Sequence, residues 1–295
     1  MNDVTEISGL RRYPLARRGF VMTSLISGFT LATQRVEAQA IHTDTTGLDA
    51  GETQIPVKDG KLPAYYARPA KGTGFPTILV NEEIFGVHEY IKDTCRRLAK
   101  LGYMAVAPEV YARIADLSTM TDIPTIVRDV ISKKPDAELF SDLDSTLAWA
   151  AHNHGSATRI GVTGFCRGGR NTWMYATHNA KLKAAVAWYG PIKGAPSPIQ
   201  PQVVLDIADK LKCPLLGLYG GKDASIAVDD VQAAAAKAKA AHKTVDIVIY
   251  PDAPHGFHAD YRPSYRQADA EDGWKHMLDW FKRYGLAPKA GPKPA

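Results

Sequence analysis

The sequence has few cysteines, no long apolar run and little excess charge. Only three cysteines occur among 295 residues, without a CxxC or Cys/His cluster, which excludes a disulfide scaffold and indicates no zinc site. No apolar run reaches the roughly 18 residues that a transmembrane helix needs. The formal net charge is only +5, and such a small surplus does not indicate nucleic-acid binding.

The chain does contain enough apolar residues for a substantial core. Hydrophobic residues make up 45% of the sequence and charged residues 23%, both ordinary for a soluble globular protein. Without an amino-terminal export signal, about 255 residues would remain, a length that suits one large α/β domain.

Residues 11–40 have the features of an export signal. Arg17 and Arg18, followed by Gly-Phe-Val, resemble a twin-arginine signal, and a mildly apolar stretch comes next. The Ala-Gln-Ala sequence at 38–40 then offers small residues to a signal peptidase. We expect residues 1–40 to direct the protein to the periplasm or outside the cell, with no stable membrane association after removal. The alternative is a basic tail on a cytoplasmic protein.

The rest of the chain alternates between strand and helix patterns. The predicted strands are 54–57, 62–68, 76–80, 103–108, 159–164, 184–189, 214–219 and 245–250. The predicted helices are 89–101, 142–152, 168–178, 228–241 and 274–284. This alternation predicts an α/β fold with one mostly parallel, doubly wound sheet covered by helices on both faces.

The predicted domain boundaries follow from the same patterns. Residues 41–52 are expected to form a linker, 53–286 the single domain, and 287–295 a flexible tail. Residues 111–135 are irregular and contain prolines, so we expect them to form a lid or a pocket wall.

The strongest chemical signal is the segment 164–169, Gly-Phe-Cys-Arg-Gly-Gly, between a predicted strand and a predicted helix. This is the setting of a nucleophile elbow, with Cys166 in the place of the nucleophile. The sharp turn requires glycine two residues away on either side, and it aims the thiol at the amino end of a helix, where an anion is favoured. Such a position activates a cysteine, whereas the alternative is a buried structural cysteine beside an unrelated turn.

A nucleophile of this kind needs an acid and a histidine later in the chain, in that order. Asp223 follows the strand 214–219, and His255 follows the strand 245–250. Both therefore lie at carboxyl ends of strands, where ligands of open α/β sheets bind. His255 would exchange the proton of Cys166, and Asp223 would orient its ring. His258 is the nearest rival base.

Four motifs in this order resemble the dienelactone hydrolases. They are NEEIFGV at 81–87, GFCRGG at 164–169, GKD at 221–223 and HGF at 255–257. The similarity spans roughly residues 50–285. It implies an α/β-hydrolase fold, a Cys–Asp–His triad and hydrolysis of a lactone or enol ester. It also implies that Glu83 pairs with the resting thiol and releases it when the substrate enters.

Glu83 also has a physical interpretation of its own. A carboxylate at the mouth of the site would compete with His255 for the thiol proton, and a neutral Cys166 resists oxidation. The alternative is that Glu83 only binds backbone N–H groups of its loop. The expected oxyanion donors are the backbone N–H groups of Ile84 and Arg167.

The residues that bind the substrate are less defined. The family holds a substrate carboxylate with arginines, one of them shortly after the catalytic histidine, where this sequence has Ala259. Arg262 and Arg128 are candidate replacements, and Arg167 and Arg170 could supply positive charge instead. Trp188 and Tyr189 could line the site or belong to the core.

These features predict a two-step acyl transfer through a thioester. No metal or organic cofactor is expected, and the expected partner is a small ester or lactone, not a nucleic acid. Two alternatives are a broad small-ester carboxylesterase of the same fold and a non-hydrolytic ligand-binding or thiol-sensing protein. The oligomeric state stays open, with a monomer as the default.

Overall fold

The computed structural model describes residues 40–288. The predicted export signal lies outside the described residues except for residue 40. The predicted tail lies outside them except for residues 287 and 288.

One eight-stranded sheet organises this part of the chain, in the order β1-β2-β4-β3-β5-β6-β7-β8. Its strands are β1 Leu48–Val57, β2 Gly60–Pro69, β3 Phe75–Asn81, β4 Met104–Pro108, β5 Gly155–Phe165, β6 Ala184–Trp188, β7 Leu215–Gly220 and β8 Val245–Tyr250. The longer helices are α1 Glu89–Lys100, α2 Asp136–His152, α3 Arg167–His178, α4 Val228–Ala240 and α5 Gln267–Phe281.

The strands from β3 to β8 are parallel, whereas β1 and β2 form an antiparallel hairpin whose second strand pairs with β4. Strands β4, β6 and β7 are buried along their whole length, as expected of parallel strands covered on both faces. The chain reverses its direction across the sheet at β3, because β4 lies on one side and β5 on the other. Right-handed crossovers therefore place α1 and α3 on opposite faces, so the doubly wound fold is confirmed.

Several elements begin earlier than the sequence predicts, and β1 and the second helix are the clearest cases. Strand β1 starts at Leu48, inside the segment 41–52 that is predicted to be a linker. Leu48 pairs with Pro69, and β1 is hydrogen-bonded to β2 along its whole length. Helix α2 starts at Asp136 rather than at 142. Pro135 stands directly before it, and two acidic residues occupy its first turn. Negative charge at this end of a helix interacts favourably with the helix dipole.

Helix α5 also begins earlier than predicted and ends earlier, at Phe281. The chain continues as a kinked turn over Lys282–Leu286, in which Gly285 has a φ of +85°.

The irregular segment 111–135 folds as a series of short helical turns. Asp116 and Asp122 each accept a backbone N–H at the start of one turn, while Leu117, Ile126 and other apolar residues are buried in the core. No helix within residues 40–288 is long and apolar enough to cross a membrane.

Candidate active site

Cys166 lies in a strained turn between β5 and α3. Its backbone has φ +55° and ψ −118°, a region that residues with a side chain rarely adopt. A methyl group on Gly164 would lie 2.3 Å from the backbone oxygen of Gly168, and one on Gly168 would lie 2.2 Å from that of Asn81. Only glycine fits at both positions, as the elbow prediction requires.

The predicted acid and histidine meet Cys166 at the carboxyl edge of the sheet. His255 Nδ1 lies 2.7 Å from Asp223 Oδ2, and the ring also hydrogen-bonds the side chain of Cys166. Because Nδ1 faces the carboxylate of Asp223, Nε2 is the ring nitrogen that is available to interact with the sulfur of Cys166. The other carboxylate oxygen of Asp223 accepts bonds from the backbone N–H and the hydroxyl of Ser225, at 2.8 and 2.6 Å.

The electrostatics of this cluster favour a charged imidazole. Burial of the His255 ring opposes its charge, but the carboxylate of Asp223 and the sulfur of Cys166 outweigh it and raise the pKa of His255 to about 10. Burial likewise favours neutral Asp223, yet His255 and Ser225 keep the pKa of this carboxyl group below its usual value. The pair can therefore hold and move a proton next to the sulfur.

Glu83 is buried at the same edge and is held by three donors. Arg262 Nη2 donates to Oε1 at 3.0 Å, while Tyr261 Oη and His88 Nε2 donate to Oε2 at 2.7 and 3.1 Å. Burial would raise the pKa of Glu83, but Arg262 and His88 lower it to about 2. The pairing with Cys166 that the family resemblance implies is not among the contacts described for this carboxylate.

The structure brings two of the four candidate substrate residues to the site. Arg262 is buried against Glu83 and the ring of Phe85, where it interacts electrostatically with Cys166. Tyr189 packs edge-on against the ring of His255, with 5.1 Å between ring centroids.

The other two candidates have different positions. Trp188 is buried in the core between Phe165 and Phe257, so the alternative of core packing holds for it. Arg128 is exposed, and its contacts are with Thr125 and Asp129. It is not brought to the triad, because its short helical turn places its side chain at the surface.

His258, the rival base, belongs to an aromatic cluster. Its ring stacks on Phe165 and Trp274, and Nδ1 lies 2.6 Å from the hydroxyl of Tyr90. Burial and the nearby charge of Arg97 lower its pKa to about 3. A neutral histidine with these neighbours is a packing residue, whereas His255 is the histidine that lies beside the thiol.

Three residues of the site were missed by the sequence analysis. Ser225 orders Asp223, while His88 and Tyr261 hold Glu83. Ser225 could have been found as the hydroxyl two residues after an aspartate in a turn, which is a common hydrogen-bonding pattern. The other two are ordinary loop residues until the chain folds, and nothing in their local sequence marks them.

One group of possible metal ligands occurs within the described residues, formed by His42, Glu89 and Asp93. Glu89 is already ion-paired with Arg96, and Asp93 with Arg96 and Arg97. These carboxylates are therefore engaged as partners of arginines.

A mostly parallel sheet with a strained strand–turn–helix elbow at Cys166 is the arrangement of an α/β-hydrolase. The model of the dienelactone hydrolase family matches residues 62–285. A protein of Methylorubrum extorquens named as a carboxymethylenebutenolidase is 56% identical over 275 residues, covering 92% of this chain and 94% of its own length. The chain therefore belongs to the dienelactone hydrolase family.

Further relatives agree with this assignment. A protein of Escherichia coli K12 that carries the same enzyme name is 48% identical over 264 residues, covering 89% of this chain and 97% of its own. A crystal structure named as a dienelactone hydrolase of Klebsiella pneumoniae superposes with a TM-score of 0.79 at 51% identity, covering 80% of this chain and 99% of that one. The predicted fold, family and hydrolase class are thus confirmed.

Proposed function

We propose that the protein hydrolyses a lactone or enol ester with Cys166 as its nucleophile, His255 as its acid and base, and Asp223 as the group that orients the imidazole. The observation that supports this most directly is the hydrogen-bonded series from Asp223 through His255 to Cys166 at a strained elbow. A structural cysteine would need neither the strain nor the partners.

In the first step His255 holds the proton of the Cys166 thiol, and the sulfur attacks the carbonyl carbon of the substrate. The oxyanion that forms accepts hydrogen bonds from the backbone N–H groups of Ile84 and Arg167, neither of which depends on its side chain. The carbon–oxygen bond to the leaving group then breaks, and His255 gives its proton to that oxygen. The acyl group is left on Cys166 as a thioester.

In the second step water replaces the thiol. His255 accepts a proton from water, the resulting hydroxide attacks the thioester carbon, and the carbon–sulfur bond breaks. The carboxylic acid product leaves, and the sulfur returns to its hydrogen bond with the imidazole. Asp223 keeps the ring in one orientation through both steps.

Glu83 takes a positioning role in this scheme. With Arg262, Tyr261 and His88 as donors, its carboxylate is a weak base and leaves the proton of Cys166 to His255. We propose that this is the arrangement in which the thiol is released for attack, the counterpart of the resting pair that the family resemblance implies.

A small neutral ester is the second candidate substrate. Ala259 is buried where the family resemblance implies an arginine, and the charge of Arg262 is matched by Glu83 at 3.0 Å. Neither position 259 nor Arg262 therefore supplies an unpaired positive charge that could bind the carboxylate of an acidic lactone.

Initial rates on a dienelactone and on p-nitrophenyl acetate test the proposal, measured with the wild type and the Cys166→Ala and Cys166→Ser variants. We expect lactone hydrolysis in the wild type and none in Cys166→Ala. Mass spectrometry should detect an acyl adduct on Cys166 of the wild type. Hydrolysis of acetate alone, also lost in Cys166→Ala, would support the second candidate. Equal turnover by the wild type and Cys166→Ala would contradict both.

A further inference from the structure

The peptide between Cys166 and Arg167 carries one of the two proposed oxyanion donors, the N–H group of Arg167. The carbonyl oxygen of the same peptide accepts the backbone N–H groups of Gly169 and Arg170, at 2.9 and 3.3 Å, so it points into the first turn of α3. Because the peptide is trans, its N–H and C=O groups point in opposite directions. The N–H of Arg167 is therefore directed beyond the amino end of the helix.

This peptide is held in an unfavourable conformation. Its orientation is set by the ψ angle of Cys166, −118°, which occurs together with a φ of +55°. Such a conformation persists only where surrounding contacts enforce it. On the Cys166 side these contacts include the two bonds to its carbonyl oxygen and the bond from its N–H to the oxygen of Trp188, at 3.1 Å. On the other side the contacts come from the side chain of Arg167.

The side chain of Arg167 is hydrogen-bonded to Gln200. Its Nη2 donates to Gln200 Oε1 at 2.9 Å, and Gln200 Nε2 donates to the backbone oxygens of Ile131 and Lys134 at 2.8 and 2.9 Å. Since both ends of this amide are engaged, its orientation is fixed. Gln200 therefore connects three segments that are distant in the chain, namely residues 131–134, the elbow and the loop after β6.

The loop around Gln200 is itself fixed. The backbone N–H of Asp136 donates to the oxygen of Ile199 at 3.0 Å, and Arg170 donates to the oxygen of Gln202 at 3.2 Å. Arg170 also binds both carboxylate oxygens of Asp136, at 2.9 and 3.1 Å. The amide that binds the elbow thus belongs to a loop held against the starts of α2 and α3.

The environment of Arg167 makes its few hydrogen bonds important. Its Nε atom is buried, and burial together with the neighbouring charge of Arg170 lowers the pKa of this residue. Its other polar contact is with the hydroxyl of Tyr111. A buried donor that loses its acceptor is left unsatisfied, which is costly. The bond to Gln200 therefore restrains Arg167 more strongly than a bond at the surface would.

We propose that Gln200 is a positioning residue of the hydrolase, which holds Arg167 so that its backbone N–H stays directed at the oxyanion. The N–H group is present whatever the side chain, but its direction depends on how the strained peptide is held. This inference rests on the proposed function and adds to it the support that residues 131–134 and the loop after β6 give to the oxyanion site. Gln200 acts through its bond to Arg167 and takes no part in the chemistry itself.

The test compares two reactions of the same thiol. p-Nitrophenyl acetate acylates Cys166, because the sulfur attacks a carbonyl carbon and p-nitrophenolate leaves after an oxyanion has formed. Iodoacetamide alkylates Cys166, because the sulfur displaces iodide from a CH2 carbon without an oxyanion. Both reactions require the thiolate, but only acylation should depend on the direction of the Arg167 N–H.

Two variants break the bond from either side. Gln200→Leu removes the acceptor, and Arg167→Met removes the donor. Arg167→Lys keeps a donor on the side chain, and the double variant Arg167→Met/Gln200→Leu tests whether the two residues act through one bond. The matched control is Gln232→Leu, at an exposed position of α4. Single-turnover rates and mass spectrometry of Cys166 follow both reactions.

We expect acylation to slow about tenfold or more in Gln200→Leu and in Arg167→Met, because a misdirected oxyanion donor loses much of its effect. Alkylation should stay near the wild-type rate in both. Arg167→Lys should recover part of the acylation rate, and the double variant should be no slower than the slower single variant. Gln232→Leu should match the wild type in both reactions.

The outcomes separate this inference from the proposed function. Acylation that is unchanged in both single variants overturns the inference and leaves the hydrolase. Equal slowing of acylation and alkylation also overturns it, since Gln200 would then hold the thiol and not the oxyanion donor. A wild type that is alkylated but not acylated at Cys166 refutes the proposed function and this inference with it. If circular dichroism shows that Gln200→Leu does not fold, Arg167→Met and Arg167→Lys make the same comparison from the donor side.

Discussion

Glu82 and Glu83 are neighbours in the chain, and their carboxyl groups have opposite shifts in pKa. Both are buried. For Glu82, burial and the nearby charge of Glu109 raise the pKa well above its usual value. For Glu83, Arg262 and His88 overcome the same burial and lower the pKa to about 2. Ionisation at this edge of the sheet therefore depends on the tertiary neighbours of each residue.

The ion pair between Glu83 and Arg262 should matter for stability. Glu83→Gln leaves the buried Arg262 without a counter-charge, which should lower the free energy of unfolding by about 3–5 kcal/mol at neutral pH. Because the pKa of Glu83 is about 2 when folded against a usual 4.5, its contribution is present above pH 4.5 and is lost as the pH falls toward 2. Urea denaturation of the wild type and Glu83→Gln between neutral pH and pH 3 measures this. The exposed Glu271→Gln is the control, and a difference that does not shrink on acidification would contradict the prediction.

A second prediction follows from the raised pKa of His255. Asp223→Asn removes the carboxylate that stabilises the imidazolium, so the pKa of His255 should fall from about 10, and kcat/KM should drop about a hundredfold or more. Titration of the His255 ring by NMR measures the shift. In the wild type, the stability from imidazolium should be complete below pH 6.5 and lost as the pH rises through about 10.

Asp252→Asn is the matched control for Asp223→Asn. Asp252 is exposed in the loop that precedes His255, where it pairs with Lys222, and its removal should leave both measurements near the wild-type values. A pKa of His255 that does not change in Asp223→Asn would show that the carboxylate does not stabilise the charged ring.

At the level of elements, the elbow depends on close contacts between backbones. Gly168→Ala would place a methyl group 2.2 Å from the oxygen of Asn81 and 2.5 Å from that of Glu82. Since these are backbone atoms that cannot turn away, we expect a loss of about 1–3 kcal/mol or more in the free energy of unfolding. Acylation of Cys166, followed by mass spectrometry, should also slow.

Gly51→Ala in β1 is the control for the elbow prediction, because no atom lies within 4 Å of the added methyl group. Chemical denaturation of both variants measures the loss in the free energy of unfolding. Equal stability of Gly168→Ala and Gly51→Ala would mean that the elbow tolerates a side chain at this position.

The elements were predictable to the extent that local patterns are strong. The strand β8 and most of α3 and α4 lie where the sequence places them, because apolar runs and helical spacing are both clear there. The start of β1 was not predictable from its own residues, since it is a strand only through its pairing with β2. The early start of α2 did have a local signal, the proline followed by acidic residues.

At the scale of the whole molecule, the order of the strands assembles the site. Cys166 follows β5, Asp223 follows β7 and His255 follows β8. Parallel pairing brings the carboxyl ends of these strands to one edge of the sheet. Residues separated by tens of positions therefore meet, each within five residues of the end of its strand.

The destination of the protein remains a prediction at this scale. We propose that Arg17 and Arg18 direct export through the twin-arginine route. Changing both to lysine should retain the precursor in the cytoplasm, because that route recognises the arginine pair. Fractionation of cells, with ester hydrolysis or an antibody as the readout, measures this, and Arg11→Lys/Arg12→Lys is the matched control. Periplasmic protein at the wild-type level in the Arg17/Arg18 variant would exclude this route.

The sequence by itself determined the fold class, the elbow and the placement of Cys166, Asp223 and His255 after successive strands, because these features are encoded in local periodicity and in glycines whose spacing the turn requires. Only the tertiary structure decided which histidine lies beside the thiol, which glutamate is charged and which of Arg167 and Arg170 pairs with Asp136. His255 and His258, Glu82 and Glu83, and Arg167 and Arg170 are alike in local sequence. They differ in burial and in the charges that distant segments place beside them, and those differences exist only after the chain has folded.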